Sequence, residues 1–292
     1  MLIVCLGLGV NSTAVLVGLK QRGIRPDLIL FSDTGGEKPE TYLYLDILQE
    51  WIKKIGFPEI ITLRYQHPSV RLFTKMCLID PAIAIKFKMK YLTLEEECLN
   101  AATLPSLAYG SKTCSQKWKK TPQEKFIELI KEAQEIWKQG GKITTILGYD
   151  AGEIRRTIPN DGTNKKYLNW YPLIEWGWHR AHCILAIDKE GLPLPPKSSC
   201  FFCPANKKAE IRLLRENHPK LLARALQIEA NTKHPGSVKG LGRRFSWAEL
   251  MEEDIPTLDG WDSTINNCDC WDGGGLSQDQ FVLQSFRDRS EP

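Results

Sequence analysis

The chain begins with a short apolar and β-branched run, Leu2-Ile3-Val4-Cys5-Leu6, then Gly7-Leu8-Gly9, then Asn11-Ser12-Thr13 ahead of an amphipathic stretch that reaches Leu19. Such a run reads as a buried strand, the two glycines as a tight turn, and Asn11 as the capping start of a helix. The same alternation continues. Residues 27–31 form a second apolar run that empties into Ser32-Asp33-Thr34-Gly35-Gly36-Glu37. Residues 41–54 carry Leu43, Leu45, Ile47, Leu48, Trp51 and Ile52 at helical spacing. Residues 60–65 give a third strand, and residues 143–147 a fourth that ends in Gly148-Tyr149-Asp150-Ala151-Gly152-Glu153. A strongly periodic helix is expected over 122–137. Residues 167–178 are rich in aromatics, and 184–187 fit a short helix or a short strand. Residues 209–229 are helical and broken at Pro219.

Strands that alternate with helices predict an α/β fold with a mostly parallel, doubly wound, Rossmann-like sheet. Residues 67–110 interrupt the alternation with Pro68, Pro81, Pro105 and separate basic and acidic stretches, which reads as a helical insertion. From 234 onward glycine, proline and polar residues rise and periodicity fades, apart from a turn or two after Ser246. The expected division is a nucleotide-binding domain over 1–219, including a cysteine segment at 197–204, and a helical then irregular extension over 220–292.

With 292 residues the chain can bury a sizeable core. A net charge of +4 tolerates a nucleic-acid or nucleotide partner without demanding one. No eighteen successive apolar residues occur and no basic leader precedes the first apolar run, so a cytoplasmic protein with no membrane partner is expected. Nine cysteines, an odd number, argue against a secreted disulfide framework and for core filling, metal ligation or redox chemistry.

Three strand ends carry the candidate chemistry. Gly7 and Gly9 let backbone N–H groups converge, and the helix that follows aims the positive end of its dipole at the turn, so an anion such as phosphate is the expected occupant. The turn lacks the third glycine of the dinucleotide fingerprint and the Gly-Lys-Ser/Thr of a Walker loop. Asp33, Thr34 and Glu37, and then Gly148, Asp150, Glu153, Arg155 and Arg156, stand at the carboxyl edge where open α/β sheets bind ligands. Each group has a plain alternative as a turn, cap or surface ion pair. Cys200-Phe201-Phe202-Cys203-Pro204 presents two sulfurs on one turn, suited to a tetrahedral metal, an iron–sulfur cluster or a dithiol pair. Cys114 sits among five lysines between 112 and 125, a setting that favours thiolate. His179, His182 and Cys183 stand close together, and Cys268-Asp269-Cys270 lies in the polar tail.

In order along the chain these blocks resemble the phosphoadenosine phosphosulfate reductase-like family of the PP-loop, or adenine nucleotide alpha-hydrolase, superfamily of N-type ATP pyrophosphatases. The PP-loop usually reads Ser-Gly-Gly-x-Asp-Ser-Thr. Here Gly7 stands at the serine, Leu8 and Gly9 at the glycines and Asn11 at the aspartate, while Ser12 and Thr13 agree. Asp33-Thr34-Gly35 through Pro39-Glu40-Thr41 resembles the family's Asp-Thr-Gly-x-x-x-Pro-Glu-Thr segment beside the adenosine. The loop at 148–156 resembles its arginine loop, which implies that Arg155 or Arg156 approaches the phosphates. Cys114, followed after 86 positions by Cys200-x-x-Cys203, matches three of the four cysteines of the family's cluster-binding branch, whose first two are adjacent.

The resemblance implies ATP and Mg²⁺ as cofactors, with Asn11, Ser12, Asp33, Arg155 and Arg156 in catalysis. It places the nucleotide on Gly7, Gly9, Asn11, Ser12, Thr13, Asp33, Thr34, Gly148, Asp150 and Glu153. It also implies a [4Fe–4S] cluster, or alternatively Zn²⁺, on Cys114, Cys200 and Cys203, with Cys183, Cys77 or the tail as fourth ligand. True sulfonucleotide reductases carry a terminal Glu-Cys-Gly-Leu-His, which this sequence lacks. The expected activity is therefore adenylation of a substrate with pyrophosphate release, for sulfur transfer to a nucleotide or to tRNA or DNA, with a sulfur-donor protein and an oligomeric state left open. A sulfonucleotide reductase and a catalytically silent nucleotide-binding module are the alternatives.

Overall fold

A computed structural model describes residues 1–65, 93–158, 162–233 and 236–252. It is an α/β fold. Five strands, β1 Leu2–Leu6, β2 Leu28–Asp33, β3 Ile60–Arg64, β4 Ile143–Leu147 and β5 Tyr167–Trp170, form one sheet in the order β3-β2-β1-β4-β5. Every pairing is parallel, with Ile3 opposite Leu28 on one side and Thr145 on the other.

Side chains alternate across the sheet and so divide the strands between two cores. On one face Val4, Leu6, Ile29, Phe31 and Ile146 pack against helices α1 (Val10–Gln21) and α2 (Pro39–Lys54). Cys183, Ala186 and Ile187, from a helix numbered α8 below (Arg180–Lys189), join the same core. On the other face Ile3, Leu30 and Ile143 meet Ile127 and Ala133. A third cluster lies off the sheet. It unites α3 (Leu94–Asn100), Trp118, Phe201 and Phe202 with α9 (Lys208–Asn217), α10 (Pro219–Asn231) and α11 (Trp247–Glu252). Burying each such large side chain contributes about 1.5–3 kcal/mol.

Several boundaries differ from the sequence reading for local reasons. The helix expected over 122–137 is interrupted. A short helix α4 (Thr113–Ser115) runs through a π-turn, Gln116–Lys120, into α5 (Thr121–Ile127), which stops before α6 (Lys131–Lys138) begins. Ile130 is extended there, and the Gln134 side chain donates to the Glu128 carbonyl at 2.8 Å, satisfying one of the orphan acceptors of the α5 end. Residues 184–187 are helical, within α8. Tyr171 separates β5 from α7 (Pro172–Glu175). The break at Pro219 occurs as expected, with His218 shared between α9 and α10. Of the insertion at 67–110, α3 and a 3-10 turn at Ser106–Tyr109 are described, while residues 66–92 lie outside the described residues. So do Cys77, Cys268 and Cys270. Among the described residues no helix is long and apolar enough to cross a membrane.

Candidate functional site

The strand order reverses between β1 and β4, and in open α/β sheets that reversal opens a crevice at the carboxyl ends of the strands. The β1–α1 turn and the loop after β4 face each other across it. Gly9, not Asn11, is the residue preceding helix α1, with Thr13 N–H the first to bond into the helix, to the Gly9 carbonyl at 3.0 Å. The first-turn amides of Val10, Asn11 and Ser12 therefore have no intrahelical acceptor. Ser12 Oγ folds back on the turn, accepting from Gly9 N at 3.1 Å and donating to the Gly9 carbonyl at 3.0 Å.

The left-handed residue of the turn is Leu8, at φ +59° and fully buried in the core, so apolar burial holds a conformation that costs a non-glycine residue roughly 1–2 kcal/mol. Gly9 is extended, and a Cβ on it would meet only Ser198 Cβ at 3.9 Å. The indispensable glycine lies across the gap. A Cβ on Gly148 would sit 2.8 Å from both the amide nitrogen and the Cα of Ser12, plugging the helix N-terminus.

Asn11 is not a cap. From the first turn of α1 its Nδ2 donates to Asp150 Oδ2 at 3.0 Å and to Glu153 Oε2 at 2.9 Å, and its Oδ1 accepts from the Arg180 guanidinium at 3.1 Å. Asp150 also accepts from Gly152 N at 2.8 Å, and Glu153 accepts from Asp150 N at 3.2 Å and pairs with Arg156. Both acids are buried and already engaged in hydrogen bonds, so neither stands as a free ligand for Mg²⁺.

The crevice widens into a cleft of about 850 Å³. Seven cationic side chains line it against two acidic ones, Glu124 and Glu153. Lys112, Lys119 and Lys120 come from the α4–α5 side, Arg180 and Lys197 from beside α1, and Lys142 and Arg156 from either end of β4. Among the described residues, buried Arg180 Nε and buried Ser198 Oγ, beside the helix N-terminus, have no hydrogen-bond partner. Unsatisfied buried donors are costly and point to a missing ligand. The cleft thus presents a helix N-terminus, a surplus of cations and spare donors to an anion.

Of the two arginines offered by the sequence, Arg156 faces the cleft, with its guanidinium 4.4 Å over the Tyr149 ring, and Arg155 does not line it. Thr13 is fully buried beneath the turn and does not reach the cleft. Asp33 and Thr34 do not either. Asp33 accepts from Gly35 N and Tyr42 at 2.8 Å each and pairs with Arg64 at 3.0 Å. Thr34 Oγ1 lies 3.2 Å from Cys200 Sγ. The β2 edge loop is instead the dock for the cysteine turn: Phe201 N donates to the Gly36 carbonyl at 2.8 Å, and Gly36 has no room for a Cβ against Phe202.

Cys200 belongs to the third core, and Cys203 and Cys114 pack against it. Cys98, on α3 in the same core, was missed by motif reading, although an unassigned cysteine upstream of a motif lacking its second cysteine was the available signal. All four are free thiols. As donors they suit a thiophilic ion in kind, yet among the described residues no three His, Cys, Asp or Glu side chains are disposed around one metal position. Burial pushes the Cys98 thiol up to about 12, with the charge of Glu97 adding to it, and burial likewise raises Cys200 and Cys203. Lys119 joins the two regions. It lines the cleft and donates to Glu37 Oε1 at 3.1 Å, and the Glu37 charge raises its pKa. Cys183 is elsewhere, fully buried in the α1–α8 core, and His182 lies on α8 with its Nδ1 accepting from His179 N. The structure does not bring either to the other cysteines.

No protein-family profile and no curated protein matches the chain.

Proposed function

We propose that the chain is an ATP-binding enzyme of the PP-loop superfamily, resembling the phosphoadenosine phosphosulfate reductases, that adenylates a substrate and releases pyrophosphate. The observation that carries this reading is the N-terminus of α1, which opens beneath Gly148 into a cationic cleft where Arg180 Nε and Ser198 Oγ lack partners among the described residues. In the proposed step a substrate oxygen attacks the α-phosphorus of ATP. The bond to the bridging oxygen breaks, and pyrophosphate leaves with the electron pair. The helix dipole, Arg180 and Lys197 then meet negative charge where it grows, which is the form of assistance fixed dipoles give best. Cys114, Cys200 and Cys203, which share one core, are the donors that a [4Fe–4S] cluster or zinc would use in a sulfur-transferring form of this reading, although among the described residues they do not surround one metal position.

The test is ATP affinity by calorimetry and pyrophosphate release, in the wild type and in Gly148→Val, whose side chain fills the helix N-terminus. At least a tenfold weaker ATP affinity is expected in a variant whose circular dichroism is unchanged. Equal affinity in the folded variant overturns the reading. ATP binding with no pyrophosphate release would make the chain a silent nucleotide-binding module. Sulfite release from adenylyl sulfate with thioredoxin would make it a reductase. Anaerobic purification with iron, sulfide and zinc analysis tests the cysteine centre separately.

A further inference from the structure

Charge is spread unevenly along the chain. Residues 207–244 hold ten Lys and Arg against three Glu, a net charge of +7, whereas residues 253–292 hold nine Asp and Glu against two Arg, a net charge of −7. Each is larger in size than the +4 of the whole sequence. In the basic stretch the fold uses up most of the opposing charge. Glu210 pairs with Lys197 and accepts from Lys207 N at 2.7 Å, and Glu229 accepts from the amides of Leu241, Trp247 and Ala248, so only Glu216 is exposed. Arg215, Lys220, Lys233, Lys239, Arg243 and Arg244 are all exposed, and none has a carboxylate partner among the described residues. They fall at the two ends of α10, whose 13 residues span about 20 Å. Arg215 and Lys220 flank its start, while Lys233 and a turn in which Lys239 N donates to the Arg243 carbonyl at 2.9 Å follow its end. The chain then comes back onto the helix: Trp247 and Leu250 of α11 share a core with Ile228 of α10, and the described residues stop at Glu252.

We propose that the basic face along α10 is a docking surface and that its occupant is the acidic stretch 253–292 of the same chain, which lies outside the described residues. The inference goes beyond the reading of the nucleotide cleft and does not depend on it. Two arguments select this occupant. The first is complementarity, since the acidic stretch matches the face in sign and in amount of charge. The second is tethering. Single exposed ion pairs are too weak to hold a separate acidic chain, but a stretch that leaves α11 beside the face meets it at an effective concentration on the order of millimolar. About six extended residues cover the length of α10, so this stretch can reach both of its ends. The consequence is competition: a polyanion from outside takes the face only by displacing residues 253–292.

The test is carbodiimide coupling of carboxylates to lysines in the full chain, read by peptide mass spectrometry on a mixture of isotopically light and heavy protein that separates links within a chain from links between chains. Links within one chain from the acids of 253–292 to Lys220, Lys233 and Lys239 are expected at low ionic strength, roughly fivefold above those to the cleft lysines Lys112 and Lys142, and largely lost at about 0.5 M salt, where exposed charges are screened within a few ångström. Links spread evenly over all lysines, concentrated on the cleft, or formed only between light and heavy chains would overturn the proposal. A second readout is anisotropy of a labelled poly-glutamate peptide. The variant Asp259→Asn, Asp262→Asn, Asp269→Asn, Asp272→Asn should bind it roughly tenfold more tightly than the wild type, and adding Arg215→Glu and Lys220→Glu should abolish the gain. Equal affinity in wild type and variant, no binding by either, or a gain that survives reversal of the face would overturn it as well.

Discussion

Asn11 Nδ2 donates to Glu153 Oε2 at 2.9 Å, tying the first turn of α1 to the loop that follows β4. The same amide donates to Asp150, and its oxygen accepts from Arg180, so one neutral side chain sits among two carboxylates and a guanidinium. An aspartate there would replace the donor with a third buried negative charge. The amide is what lets the two walls of the crevice close on each other.

Asn11→Asp is accordingly expected to cost roughly 3 kcal/mol at pH 7.5, the scale of breaking a buried network and leaving a charge uncompensated. Like charges raise a carboxyl pKa, so the new repulsion is present above the raised value and disappears as pH falls through it. Urea denaturation at pH 7.5 and 5.0 checks the sign: the deficit relative to wild type should shrink at the lower pH. A deficit that is the same at both would show that Asn11 serves by shape alone.

Cys183 gives a prediction at the other end of the scale. Burial holds its thiol up to about 12, against 9.0 for the free group. The folded value lies above the unfolded one, so the contribution to stability is complete below pH 9 and is lost as pH rises toward 12. Between pH 8.5 and 10.5 this single group should remove about 2 kcal/mol of stability, the unfolded chain ionising first. Cys183→Ala should lose correspondingly less over the same interval in thermal or urea denaturation. Parallel losses in the two proteins would mean that the thiol ionises in the fold as readily as outside it.

The fold was legible because strand and helix periods alternate cleanly through the sheet. The strand runs from Leu2, Leu28, Ile60 and Ile143 are apolar on both faces, as strands covered on two sides must be. The candidate site was legible only in part. A motif match names positions along the chain and cannot tell which side of a loop they face. Asp33 turns to Tyr42 and Arg64, Thr34 to the cysteine segment and Thr13 into the core, and Arg180, which reaches Asn11 across 169 positions, belongs to no local pattern. Gly148 illustrates the same limit. Its necessity comes from the approach of another element, and nothing in the neighbouring residues records that distance.

The bond between Lys119 and Glu37 is the structural tie between the cleft and the cysteine core. Glu37 is fully buried at its side chain, its Oε1 accepts from Lys119 Nζ at 3.1 Å, and its Oε2 has no partner among the described residues. Lys119→Met should therefore strand a buried carboxylate, at a cost of about 2–3 kcal/mol. That is below the usual range for buried pairs because water reaches the lysine, whose side chain is 37% exposed. Glu37→Gln keeps an acceptor for Lys119 and places donors where Oε2 now stands alone, so it should cost less than half as much. Glu37→Leu combined with Lys119→Met removes the charges together, and the double variant should be more stable than Lys119→Met alone. A double-mutant cycle in urea measures this directly. Additive losses would show that the two side chains stabilise the fold independently and that the ion pair does not couple the cleft to the cysteine turn.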